Sequence, residues 1–399
     1  MKKLAIVTTH PIQYHVPWLI RLAEKRIAIK VFYTYEQSRN GTVYDPGFGR
    51  DIQWDIPLLD GYEYEFVANT SKRPGLENFR GIVNPGLIGK IEAWQPDGLL
   101  VIGWNYESHL KCIRHFYNRV PVYFRGDSVL LHERTGLRKL ARRIFLTWVY
   151  HHVDYALYVG TNNRSYFLRH GLKLSQLIFS PQAIDISRFA RPQEDYAPLL
   201  RCWKEELGMP GGRLTVLFAG KLTRVKNPGF VLDLAEKCSH LPIDFLLVGD
   251  GYLKTELQQR AANMPNVFFM GFQNQSVMPA VYRMGDVYLM PSLSETWGMG
   301  INEAMACGIP VMASEQVGCA TDLVLENKTG ITFHLGDVEK CREFLAALSI
   351  DRRRLTEMGA CASTLIQFFS FSHIVDSVVR AMTEPVREPG RRSLLNAAL

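Results

Sequence analysis

Glu295 and Glu303 stand with seven residues between them, in a block that reads Pro291-Ser292-Leu293-Ser294-Glu295-Thr296-Trp297-Gly298-Met299-Gly300-Ile301-Asn302-Glu303. An apolar strand-like run, 287–290, comes before it, and a helical pattern, 301–307, follows. A glycine-containing loop that opens into a helix presents free backbone N–H groups and the positive end of the helix dipole. That geometry suits a phosphate. The spacing predicts Glu303 in the first helical turn and Glu295 in the loop before it, where carboxylates accept hydrogen bonds from sugar or ribose hydroxyls. The competing reading is structural, because acids near a helix N-terminus also stabilise the helix.

A second group is Gly220-Lys221-Leu222-Thr223-Arg224-Val225-Lys226, again between an apolar run and a helical pattern. Cations on such a loop can neutralise a departing diphosphate without a metal. An exposed basic loop is the plain alternative, but the two groups together are far more specific than either alone. Other phosphate chemistries lack their signatures. The chain has no G-x-x-x-x-G-K-[ST], no G-x-G-x-x-G after its first strand and no Asp-x-Asp to chelate a metal. His10, His15 and the His151-His152 pair have no carboxylates at ligand spacing. The expectation is therefore no metal and no cofactor. The seven cysteines are scattered and form no C-x-x-C, which fits a reducing, cytosolic setting. The apolar run 4–8 is too short for a signal-peptide core, and no run is long enough to span a membrane.

These loops need strand ends to position them. Apolar runs at 3–9, 27–33, 98–102, 120–124 and 155–159 alternate with helical patterns, as in a largely parallel α/β sheet. The segment 180–198 is proline-rich and irregular, and beyond it the pattern restarts with runs at 214–218, 245–248, 267–270, 287–290 and 311–313. The expected architecture is α/β, with two Rossmann-like doubly wound domains at 1–190 and 191–380 and a tail at 381–399. Such domains in tandem hold ligands in the cleft between them, at the strand carboxyl ends.

The net charge of +7 is unevenly placed: residues 1–198 carry 26 basic and 18 acidic side chains, and 199–399 carry 20 and 21. The excess has a focus in 134–148, where Arg134, Arg138, Lys139, Arg142 and Arg143 occur without an acid. Leu137, Leu140, Ala141, Ile144 and Trp148 fall on one helical face, with the cations opposite. Such a helix can lie on an anionic membrane surface, or it can be an ordinary helix with a solvated basic face. The cations are not interleaved with aromatics on strands, so no nucleic-acid partner is expected.

From about 214 to 335 the chain resembles the nucleotide-sugar-binding domain of retaining glycosyltransferase family 4, of the GT-B fold. The resemblance is carried by Gly220-Lys221-Leu222 with Lys226, Val248-Gly249-Asp250-Gly251, Gly271, Glu295 with Glu303, and Gly318 to Val324. It implies a nucleotide-diphosphate sugar held by Gly220, Lys221, Lys226, Gly249, Glu295, Met299, Gly300 and Glu303. In that scheme Lys221 and Lys226 take the diphosphate, Glu295 the sugar hydroxyls and Glu303 the ribose, while the backbone of Met299 and Gly300 meets the distal phosphate. The implied reaction is metal-independent hexosyl transfer with retained anomeric configuration. The implied acceptor is a glycan or a lipid-linked molecule of bacterial surface polysaccharide synthesis: lipopolysaccharide, O-antigen, capsule or exopolysaccharide.

The first half departs from the family pattern. Thr8 to His15 replaces a glycine-rich loop, and Arg125-Gly126-Asp127-Ser128 stands where relatives carry a histidine followed by an acid. Arg125 or Asp127 is expected to fill that catalytic role, with His10, His15, Asn105 and Glu107 as acceptor-side candidates. A sugar-nucleotide epimerase and a catalytically inactive scaffold subunit are the alternatives on this architecture. The intact Lys221, Lys226, Glu295 and Glu303 argue against the second.

Overall fold

The structure is a computed structural model, and it describes residues 1–39, 42–45, 47–133 and 136–384. Arg134 and the part of the expected tail beyond 384 lie outside the described residues.

The apolar runs form two parallel sheets. The first has seven strands in the order Glu63–Phe66, Ile27–Tyr33, Lys2–Thr8, Gly98–Ile102, Val122–Arg125, Tyr155–Tyr158 and Leu177–Phe179. The second has six, in the order Val267–Met270, Ile243–Val248, Leu214–Ala219, Val287–Met290, Val311–Ser314 and Gly330–Phe333. Every adjacent pair in both is parallel. Strands covered by helices on both faces must be apolar throughout, which explains why they read as runs and not alternations. Leu214 to Phe218 and Ile243 to Val248 are buried along their whole length.

The strand order sets where a ligand fits. In both sheets the order reverses beside the first strand of the unit, between Lys2–Thr8 and Gly98–Ile102 and between Leu214–Ala219 and Val287–Met290. The loops leaving such a pair diverge to opposite faces and open a crevice at the carboxyl ends. In the second sheet those loops begin at Gly220 and Pro291, so both chemically distinctive segments of the sequence meet at one place.

Three features were not foreseen. An antiparallel hairpin, Thr42–Asp45 with Arg50–Gln53, stands apart from the first sheet. Edge strands Glu63–Phe66, Leu177–Phe179 and Gly330–Phe333 are too short to give a periodic signal. The helix Phe371–Thr383 returns to the first sheet, where Phe371, Ile374, Val375, Val378 and Met382 join the core of Leu4, Ile6, Trp18 and Leu19. The chain therefore crosses between sheets twice, and the boundary expected at 380 misses the second crossing. Ile184 and Ser370 pair as a parallel bridge where the two crossings run side by side.

Candidate active site

The block 291–303 is organised by close backbone approaches. Gly298, at φ +106°, caps the helix Met299–Ala306. That helix starts earlier than its apolar pattern suggested, so Glu303 lies in its second turn, not its first. A side chain at Gly300 would fall 2.2 Å from the Tyr288 hydroxyl. The first turn thus sits directly on the strand beneath it, with its N–H groups at the crevice. Trp297 is buried, and its indole N–H donates to Asn302 Oδ1 at 2.8 Å.

Glu303 is almost fully buried. The Tyr14 hydroxyl donates to its Oε1 at 3.1 Å and the Tyr282 hydroxyl to its Oε2 at 2.7 Å. Burial raises its pKa, against the pull of the Tyr282 hydrogen bond and the nearby Arg188. Arg188 donates to Gln275 at 3.0 Å, while its buried Nε has no protein partner. A carboxylate held by two phenols beside a cation is a fixed hydrogen-bond acceptor, not a helix cap.

The basic loop lies opposite. Lys226 Nζ is ion-paired with Glu295 Oε2. Lys221 Nζ is 2.6 Å from Asp45 Oδ2, on the hairpin from the other half of the chain, and stacks over Phe48. Gly249 and Gly251 support this loop from below, since a Cβ at Gly249 would lie 2.0 Å from the Gly220 carbonyl oxygen. The structure therefore brings Gly220, Lys221, Lys226, Gly249, Glu295, Met299, Gly300 and Glu303 around one crevice.

The first half contributes unequally. The Asp127 carboxylate accepts a hydrogen bond from Thr296 Oγ1 at 2.9 Å, across the crevice and next to Glu295. Arg125 is buried, and its guanidinium donates to the Ser180 and Pro181 carbonyls, Ser180 Oγ and Gln182 Oε1 at 2.8–3.0 Å. Those bonds commit it to the linker between the sheets. His10 and His15 sit on the loop after the first strand, where His10 Nδ1 is 2.9 Å from Thr9 Oγ1 and His15 feels the charge of Arg125. Glu107 opens the helix Glu107–Phe116 and is tied to Lys111 at 2.6 Å and Arg80 at 3.5 Å. Among the described residues no contact links Asn105 or Glu107 to the Lys226–Glu295 pair.

Sequence reasoning passed over Tyr14, Tyr282, Arg188, Asp45 and His132, whose Nε2 accepts from the Glu295 backbone N–H at 3.2 Å. No local pattern marks them, because their partners are 21 to 289 residues away. Among the described residues no group of three or more metal-ligating side chains occurs, and no helix is long and apolar enough to cross a membrane.

Burial depresses the imidazole pKa of His10 to about 4 and of His15 to about 3, with Arg125 and His10 adding to the effect on His15. The folded state therefore favours neutral His15. That contribution is complete above the unfolded value of about 6.5 and fades as pH falls through the folded one. His15→Phe should gain on the wild type by up to about 2 kcal/mol as the pH drops from about 7 to about 5. Denaturant unfolding at both pH values measures this, and a constant difference would contradict it.

Two doubly wound parallel sheets facing each other across switch-point loops define the GT-B architecture, and that is the fold of this protein. The structure of HepE from Anabaena in complex with UDP superposes with a TM-score of 0.71 at 18% identity, over 96% of this chain and 99% of that one. WaaG, described as a glycosyltransferase involved in lipopolysaccharide biosynthesis, does so with a TM-score of 0.65 at 13% identity, over 96% and 100%.

Residues 201–363 match the family model described as glycosyl transferases group 1. Among curated proteins, sulfoquinovosyl transferase SQD2 of Arabidopsis thaliana is 33% identical over 42% of this chain and 34% of its own length. D-inositol 3-phosphate glycosyltransferase of Rhodococcus erythropolis is 28% identical over 49% and 46%. The chain thus spans half or less of the length of these two. A GDP-mannose-dependent alpha-mannosyltransferase of Mycolicibacterium smegmatis is 26% identical over 71% and 73%.

Proposed function

We propose that this protein is a retaining glycosyltransferase that moves a hexose-type sugar from a nucleotide-diphosphate sugar to a glycan or lipid-linked acceptor of bacterial surface polysaccharide synthesis. The observation that carries this reading is the convergence of Lys221, Lys226, Glu295, Glu303 and the first turn of helix Met299–Ala306 on one switch-point crevice. Two lysines and free N–H groups suit a diphosphate, and two acids on either side suit the hydroxyls of a sugar and a ribose. The group 1 match over the same residues supports the same assignment.

In this scheme the bond between the anomeric carbon and the diphosphate oxygen breaks as the acceptor oxygen bonds to the same face of that carbon. The acceptor proton passes to the departing phosphate, which Lys221 and Lys226 stabilise. No protein nucleophile is required, and no cofactor or metal enters the scheme. Asp127 faces the crevice beside Glu295 and is assigned to the acceptor side. Arg125 is a positioning residue, acting through residues 180–182. His10 and His15 remain acceptor-side candidates by their position on the loop after the first strand.

Without a donor, both lysines are held by carboxylates. Donor binding must release Lys221 from Asp45 and free Glu295 from Lys226. The Lys221–Asp45 pair is partly exposed and worth about 0.2–1 kcal/mol. Asp45→Asn should therefore tighten binding of a sugar nucleotide by up to about fivefold. Calorimetric titration tests this, and weaker binding would show that Asp45 helps to hold the donor.

The helix Leu137–Tyr150 buries Leu146, Val149 and Tyr150 and leaves Leu140, Ile144 and Trp148 exposed. Leu140, Ile144 and Trp148 of the apolar face singled out in the sequence thus face solvent, with Arg138, Lys139, Arg142 and Arg143 alongside. This arrangement supports peripheral attachment to an anionic membrane at the inner, cytoplasmic face.

The deciding experiment is a thermal-shift screen with UDP-, GDP-, ADP- and dTDP-sugars, followed by turnover with the one that binds. Stabilisation by one of them, with nucleotide release that Glu295→Ala abolishes, is expected. Absence of binding to all four sinks the proposal. Conversion of the donor sugar without an acceptor would favour an epimerase.

A further inference from the structure

A second cavity, of about 450 Å3, lies on the other side of the 294–296 segment from Lys226. While Glu295 turns towards Lys226, its neighbours Ser294 and Thr296 line this cavity. His132, Arg138, Lys139 and Arg142 form the opposite wall. The lining holds three permanent cations and one carboxylate, Glu133. That acid is already engaged by Lys139 at 3.2 Å, Arg142 at 3.3 Å and His170 at 3.5 Å. Among the described residues no acid pairs with Arg138.

Excess positive charge gathered in a concave, partly desolvated wall is unfavourable unless an anion joins it. Arginine forks with hydroxyls opposite are the usual donor set for a phosphate. The donor diphosphate has its own lysines across the segment, so this second anion would belong to another molecule. The same helix supplies a further clue. Leu140, Ile144 and Trp148 are 56%, 64% and 39% exposed, and they form a ridge at i, i+4, i+8 beside the cations. A phosphate flanked by an apolar ridge matches an amphiphile.

We propose that this cavity binds the phosphate of a lipid-linked acceptor, with its hydrocarbon lying along Leu140, Ile144 and Trp148. The proposal rests on the glycosyltransferase reading and names the acceptor class. It places the acceptor phosphate one backbone segment from the sugar-facing Glu295, with Asp127 between them through its bond to Thr296. An acceptor hydroxyl close to its own phosphate would then face the donor sugar.

The test is a titration of the full chain with dodecyl phosphate below its micellar concentration, against dodecyl maltoside and inorganic phosphate. Dodecyl phosphate is expected to bind at least about tenfold tighter than either, and Arg138→Glu to remove that preference, because an opposed charge replaces the cation. Arg138→Ala, a milder change at an exposed position, should remove part of it. Equal affinity for the phosphate and maltoside amphiphiles overturns the anion site. Equal affinity for inorganic phosphate overturns the lipid-linked assignment. Stabilisation of each variant by the sugar nucleotide is measured in parallel and should match the wild type. If no sugar nucleotide stabilises the wild type, the donor reading fails by itself, and the amphiphile titration still decides whether the cavity takes a phosphate.

Discussion

Lys226→Ala is expected to lower kcat/KM for glycosyl transfer by about 10²–10³-fold while leaving the fold intact. The lysine ends the short helical turn Arg224–Lys226, and Asn227 follows it in a left-handed conformation at φ +52°. This bend turns the ammonium back towards Glu295. A leaving diphosphate gains negative charge as its bond to the sugar breaks, so a cation fixed there stabilises the transition state more than the ground state. The alternative is that Lys226 only satisfies Glu295. A partly exposed pair of that kind contributes about 1 kcal/mol or less, so the variant would lose a little stability and little activity. Unfolding and steady-state nucleotide release, measured on the same preparation, separate the two. Activity within about threefold of wild type would remove Lys226 from the reaction.

Gly249→Ala should cost at least about 3 kcal/mol of stability with no nucleotide present. Gly249 has φ +137°, and its Cβ would lie 2.0 Å from the Gly220 carbonyl oxygen, a backbone atom that cannot yield. Around this point the two turns are stitched together. The Gly220 N–H donates to the Val248 carbonyl at 2.9 Å, and the Leu222 N–H to the Asp250 carbonyl at 2.8 Å. Any change that separates them moves Lys221 and Lys226 as well, so donor affinity should fall together with stability. The family resemblance places Gly249 at the donor, whereas the contacts supply a packing reason for the same glycine. A normal melting temperature with lost donor binding would favour a ligand-only role.

Much of the fold was legible because each strand is a local event. A run such as Leu214–Ala219, apolar at every position but Thr215, has few ways to be stable other than as a central parallel strand. The edge strands and the hairpin escaped for the opposite reason. Four residues such as Glu63–Phe66, exposed or half-exposed throughout, are too few for their Glu-Tyr-Glu-Phe alternation to separate strand from loop. The closing helix Phe371–Thr383 escaped as well, because amphipathic spacing shows at most that a face will be buried, not against which sheet.

The candidate site divides in the same way. Sequence alone determined which chemistry was at hand: two lysines after one strand, two acids around a glycine-rich helix start after another, and a basic segment at 134–143. Residue type and spacing carry that information, since strand ends and helix starts are set by neighbours a few positions apart. Only the tertiary structure decided how those groups are used. It buried Glu303 between Tyr14 and Tyr282, committed Arg125 to residues 180–182, paired Lys221 with Asp45, and set Arg138, Lys139 and Arg142 around a cavity beside Ser294 and Thr296. The physical reason is distance along the chain. Tyr14 with Glu303, Asp45 with Lys221 and the cavity join the two halves of the chain, while Tyr282 with Glu303 and Arg125 with residues 180–182 join separate segments within one half, and no local pattern encodes either kind of approach.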